Sequence, residues 1–352
     1  MRLEYVSHSC FVLETGGKKI VFDPWITGSA YHDQWHLFPK PVDTTLVEQA
    51  DIILISHGHE DHMHHASLKK IQNNARVFFP FQWRRGVVDY FKHLGFSSIT
   101  EAVSFKTYSV DDIRVTFLGY SLESVVVIEC EGMVIVNVND ALNSNHETAT
   151  EFILEKIKSR WPKIDYLLSG WSGAGYFPNK VHYKNKDDVE VAKIREQYFA
   201  DNFCKFTKHL QPEISIPFAP GFVLLRNENR WINNVKFPRQ MIRLYYNDYF
   251  EENSPIQFPI TYPGDYFVDK TFVEVSALHR KNSDEELYRD IDDVFREEIV
   301  KANRISIRSQ NEISELQSKL TSWINRNKVL YDEAVIQDAV FSIAFTDVSD
   351  SI

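Results

Sequence analysis

Along the first 25 residues, apolar and polar positions form short runs broken by turns. "RLEYV", "CFVLE" and "IVFDPW" read as strands, and "TGGKK" supplies a Gly16-Gly17 turn. The third run ends at Asp23, where Pro24 stops the pairing. An aromatic-rich loop follows, "ITGSAYHDQWHLFPKP", of a length typical of loops with function. A short helix, "TTLVEQA", then leads to "DIILIS". That apolar run predicts a strand buried on both faces. The alternation goes on through helix "HASLKKIQNN", strand "ARVFFP", helix "WRRGVVDYFKHLG" and strands "SITEAV", "DIRVTFLG", "SVVVIEC" and "MVIVNVND". Helix "ETATEFILEKIKSRW", strand "IDYLLSG", a long helix over about 187–210 and strand "EISIPFAPG" complete it. Two runs of strands, each broken by helices, predict two sheets between helical layers. After Thr271 the pattern turns to charged amphipathic helices, with one more strand at "AVFSIAFTD".

Composition narrows the class. The chain has 352 residues, 43% hydrophobic and 25% charged, as in a soluble globular protein of one large domain with an appendage. A net charge of −10 gives no basic excess for nucleic acid. Cys10, Cys130 and Cys204 are isolated, which suits buried thiols in a reducing compartment. The start lacks a signal-peptide core and no run is long enough to span a membrane, so the cytoplasm is the expected location.

The candidate chemistry lies just past "DIILIS", in "ISHGHEDHMHH". His57 and His59 flank a glycine and can turn toward one point, while Asp61 and His62 serve a second point beside it. Neutral imidazole and carboxylate together suit zinc, iron or manganese. His64 and His65 read as surface residues opening the next helix. Asp140, at the lip of another apolar strand, is the candidate bridge between two ions. Asp23 is placed to orient a ligand histidine, and His8, one strand earlier, to face the same rim. The flanking loops offer Tyr31, Trp35, Trp171, Tyr176, Phe177, Lys40, Lys180 and Lys184. Of these, Trp35, Tyr176 and Lys180 are the candidate contacts to an anionic small-molecule substrate. Rim packing explains the aromatics equally well.

A strand ending in Asp-Pro, then HxHxDH, then an aspartate after a later strand resembles the metallo-β-lactamase superfamily. "DPWITGSAYHDQW", "SGWSGAGYFP", "LQPEISIPFAPGF" and "TYPGDYF" are similar to the catalytic domain of the CMP-N-acetylneuraminate hydroxylase branch, over about residues 3–270. The resemblance implies an α/β fold, an αββα metallo-β-lactamase-like sandwich over 1–270, with an α-rich extension or cap over 271–352. It implies two divalent metal ions, zinc or iron, held by His57, His59, Asp61, His62 and Asp140. Two histidines usual in the superfamily are missing, from "FLGYSLES" and from the turn near Ala219. Tyr120, Glu123 or His8 would have to fill in, or one metal position is weak.

Three functions follow from these residues and from what the resemblance implies. The first is a metal-dependent hydrolase of an anionic phosphoester, lactone or amide, acting through a metal-bound hydroxide, with Asp61 as the catalytic carboxylate. The second is an iron-dependent oxygenase of a nucleotide sugar, drawing electrons from a separate ferredoxin or Rieske protein, because the three cysteines build no Rieske centre. The third is a non-catalytic metal-binding descendant. The charged C-terminal helices read as a solvated face that could also cover the mouth or form a homodimer.

Overall fold

A computed structural model describes residues 1–81, 86–119, 123–143, 146–174, 183–281, 283–304, 314–319 and 321–322. The chain divides into two compact units, Met1–Ala302 and Asn303–Ile352. The strand expected at "AVFSIAFTD" lies outside the described residues.

Within the first unit, an eight-stranded sheet has the order Thr271–Val273, Tyr266–Val268, Arg2–Ser7, Cys10–Thr15, Lys18–Phe22, Ile52–Leu54, Arg76–Pro80 and Ser98–Ala102. Its N-terminal strands form antiparallel hairpins, and the last four strands run parallel. The second sheet has the order Ile214–Pro217, Tyr166–Ser169, Met133–Asn139, Ser124–Cys130, Ile113–Gly119 and Thr107–Val110. A small third sheet joins Phe222–Val223, Trp35–Leu37 and Ser29–Ala30.

The period of two decides the layers. Phe11, Leu13, Ile20, Phe22, Ile52 and Leu54 point inward and pack on Val115, Phe117, Val126, Ile128, Leu168 and Ile216 of the facing sheet. Their neighbours Val12, Val21, Ile53 and Ile55 point outward, into a cluster with Val47, Leu68 and Phe91 from helices. The other outer face buries Val127, Val136 and Leu167 against Ile153, Ile157 and Phe206 of two helices. The result is the expected αββα sandwich. All three cysteines are buried and free.

Several helices differ from the sequence pattern. "HASLKKIQNN" gives only His65–Leu68, although Leu68 and Ile71 both pack in the outer cluster on the sheet. The acidic stretch after residue 283 breaks into Asp284–Tyr288, Ile291–Val294 and Arg296–Ala302. These helices bury Leu287, Ile291 and Phe295 against Phe38, Val223, Leu225 and Tyr262.

Leu13 is fully buried between the sheets. Leu13→Ala should therefore lower stability by about 2–5 kcal/mol, the range for truncating a core leucine. Urea denaturation checks it, and a loss under about 1 kcal/mol would contradict the inter-sheet packing.

Candidate metal centre

The candidate residues collect at strand ends. His8 follows Arg2–Ser7, Asp23 follows Lys18–Phe22, and the segment from Ser56 to His62 follows Ile52–Leu54. Asp140 follows Met133–Asn139 on the other sheet. Three of these exits pass through a left-handed residue: His8 (φ 44°), Asp23 (φ 38°) and Asn139 (φ 40°). Asn and Asp tolerate that conformation better than most residues, so "NVND" turns sharply and throws Asp140 over the sandwich edge. The Asn139 side chain holds the turn by accepting from the Asp140 amide at 2.6 Å.

Asp23 organises the histidines from below. One of its oxygens accepts from the Ser56 amide at 2.7 Å. The other accepts from the Ser56 hydroxyl at 2.7 Å and from His62 Nδ1 at 3.0 Å. With its own proton on Asp23, Ser56 Oγ accepts from His57 Nδ1, 2.9 Å away. Both rings thus turn Nε2 toward the site. His57 Nε2 lies 2.8 Å from His59 Nδ1. Ligand atoms of His57, His59 and Asp140 fall within 4.8 Å of one another, as do those of His8, Asp61 and His62. His62 Nε2 joins the two groups, 3.4 Å from both Asp61 and Asp140. Asp61 also receives His8 Nε2 at 3.0 Å and the Tyr31 hydroxyl at 2.5 Å. His57, Asp61 and His62 are buried, and His59 is exposed.

Residues 2–155 match the beta-lactamase superfamily domain. That match covers less than half of the chain. Curated relatives include the cytidine monophosphate-N-acetylneuraminic acid hydroxylase of Danio rerio, 26% identical over 256 residues. That match covers 66% of this chain but 40% of the relative, so the chain spans less than half of its length. Among solved structures, CmlA, a diiron beta-hydroxylase from Streptomyces venezuelae, superposes with a TM-score of 0.50 at 18% identity, over 76% of this chain and 53% of that one. An isothiocyanate hydrolase from Delia radicum gut bacteria gives 0.52 at 14% identity, over 78% and 100%.

The donor set at these strand ends fits divalent cations. Among the described residues, His62 Nε2 is buried without a hydrogen-bond partner, although carboxylate oxygens of Asp61 and Asp140 lie 3.4 Å away. Burial disfavours a charged His62, but Asp61, Asp140 and Asp23 outweigh it and hold the pKa well above the usual imidazole value. Burial likewise opposes ionisation of Asp61 and Asp140, and His62 overcomes it in both. Asp61 ends well below the usual carboxylate range and Asp140 at about 2. His57 goes the other way, kept neutral by burial and by His62. One imidazolium among three carboxylates leaves excess negative charge in a buried place, which a divalent ion would balance.

The remaining candidates fall elsewhere. Trp35 is 6% exposed, one face stacked on Phe222 at 3.8 Å and its edge on Tyr31 at 4.6 Å, so it packs under the rim. Tyr120, Tyr176 and Lys180 lie outside the described residues. His64 is no surface histidine. It is buried, caps its helix by accepting from the Ser67 amide, and reaches the Ser29 carbonyl at 3.0 Å. Sequence reasoning gave Tyr31 no contact with Asp61 and missed the Gly221 amide, which donates to His8 Nδ1 at 3.0 Å. The turn-forming "GSAYHD" and "APG" were the only signals for them.

A pH dependence follows. In the metal-free protein, protonated His62 adds stability that is complete below about pH 6.5, the unfolded value, and is lost as pH rises through its higher folded pKa. A metal must displace that proton, whereas His57 and Asp140 are already free of theirs. Divalent metal uptake at pH 7 should release about one proton and tighten as pH rises. Calorimetry in buffers of different ionisation enthalpy measures the release, and uptake without it would contradict the assignment.

Proposed function

We propose that the chain is a metal-dependent hydrolase of an anionic small molecule. His57, His59 and Asp140 would hold one divalent ion, and Asp61 and His62 a second, with Asp140 between them. Bound ions would supply Lewis acidity and a nucleophile at neutral pH. The observation that supports this best is the convergence of these donors from both sheets, with His62 Nε2 left unpartnered at their centre. Asp61, held ionised, orients and accepts hydrogen bonds and does not donate a proton. Asp23 fixes two rings without touching the site. Exposed His59 and half-buried Asp140 form the open side, by which substrate would enter. On this reading residues 1–270 carry the chemistry, and residues 271–302 complete the same compact unit with an edge strand and packed helices.

The names of the curated relatives support a second reading, an iron-dependent oxygenase of cytidine monophosphate-N-acetylneuraminic acid or a similar nucleotide sugar. A ferredoxin or Rieske partner would then supply electrons.

Protein with zinc should cleave bis(p-nitrophenyl) phosphate, and the double change His57→Ala, His59→Ala should lower that rate at least about hundredfold, beyond what loss of an orienting partner costs. A double variant with full activity would sink the hydrolase. Dioxygen consumption by iron-loaded protein with reduced ferredoxin and the nucleotide sugar, coupled to product, would instead establish the oxygenase.

A further inference from the structure

We propose that His8 and Tyr31 form a paired clamp on Asp61, in which His8 acts as a hydrogen-bond donor and not as a metal ligand. The proposal rests on the metal-centre reading above.

The tautomer of His8 is set from behind. The Gly221 amide donates to His8 Nδ1 at 3.0 Å, so Nδ1 carries a lone pair. A neutral imidazole has one N–H, which places the proton on Nε2. That nitrogen lies 3.0 Å from Asp61 Oδ2, and a nitrogen that donates there cannot also bind a cation. The approach depends on glycine. A Cβ at position 221 would lie 2.8 Å from the His8 amide nitrogen and 2.9 Å from its Cα. Trp25 and Phe222, with ring centroids 5.2 and 6.0 Å away, fix the plane of the imidazole.

Tyr31 holds the other oxygen. Its hydroxyl donates to Asp61 Oδ1 at 2.5 Å. It is delivered by three successive left-handed residues, Tyr31 (φ 54°), His32 (φ 57°) and Asp33 (φ 60°), an unfavourable run that its surroundings must enforce. The Tyr31 amide donates to Glu60 Oε2 at 2.8 Å, the Gln34 amide to Ala30 at 3.2 Å, and the Ser29 hydroxyl to Asp33. Glu60 belongs to the HxHxDH segment, so the turn and Asp61 are tied together twice. Tyr31 holds Oδ1 and His8 holds one side of Oδ2, whose other lone pair is left for His62, at 3.4 Å. The clamp therefore fixes the plane of the carboxylate that a metal would meet.

Two measurements test this. Long-range 1H–15N spectra of histidine-labelled wild-type protein, metal-free and zinc-loaded, should show His8 with Nε2 protonated in both, its signals assigned by their loss in His8→Gln. A His8 nitrogen that moves into the metal-bound range would overturn the proposal. Competition titrations with zinc should show Tyr31→Phe still binding two ions, one of them about ten- to hundredfold more weakly, as for other orienting partners of ligands. Its metal-free melting temperature should fall by only several degrees, the loss of one hydrogen bond to a buried carboxylate. Unchanged affinities would remove Tyr31 from the clamp. A wild-type protein that takes up no metal would instead overturn the metal-centre reading, and with it the clamp's role on a ligand.

Discussion

The Asp23 carboxylate, buried at the end of the third strand, is the contact on which the rest of the centre depends. It takes two hydrogen bonds from Ser56 and one from His62, and through Ser56 it sets the ring of His57. Its place follows from sheet register. Lys18–Phe22 pairs in parallel with Ile52–Leu54, Phe22 opposite Leu54, so the residues just beyond both strands meet. Hydrogen bonds to a buried charge are each worth roughly 1.5–3 kcal/mol. That is enough to hold the His62 ring, and through Ser56 the His57 ring, in one orientation at the edge of an apolar layer.

Above Asp23 the arrangement is a problem in buried charge. Asp61 and Asp140 come from different sheets, and His62 Nε2 stands 3.4 Å from each. Their separation is set by how closely the two inner faces pack. The leucines, isoleucines and phenylalanines between the sheets therefore control ligand geometry without touching a ligand. Apolar packing makes the site rigid, and the uncompensated carboxylates make it receptive to a cation.

Around this centre the aromatic loop acts as scaffolding. Trp35 stacks on Phe222, and Lys236 Nζ sits 4.8 Å over that ring while donating to the Phe222 carbonyl at 2.7 Å. Arg239 and Asp284 form a buried pair at the start of the later helices, with the guanidinium 5.0 Å over Trp171. These contacts anchor the segments behind His8 and Gly221, which explains why aromatics and cations gather there although few of them face the metal positions.

The sequence by itself determined the layers and where a candidate metal site begins. The period-two runs fix which faces are buried, and HxHxDH after an apolar strand fixes where ligands begin. Asp23 and Asp140 were legible because each is an acid at the end of such a run. The pairing of His57 with His59 and of Asp61 with His62 was legible from spacing, but the other partners of Asp61 were not. His8 and Tyr31 lie 53 and 30 residues from Asp61, and only the sheet register and a left-handed turn bring them onto one carboxylate. Nor does any pattern reveal that a backbone amide at Gly221, 213 residues from His8, sets the tautomer of that ring. Hydrophobic periodicity is local and survives in one dimension, whereas the direction of a hydrogen bond depends on atoms that only the folded chain brings together.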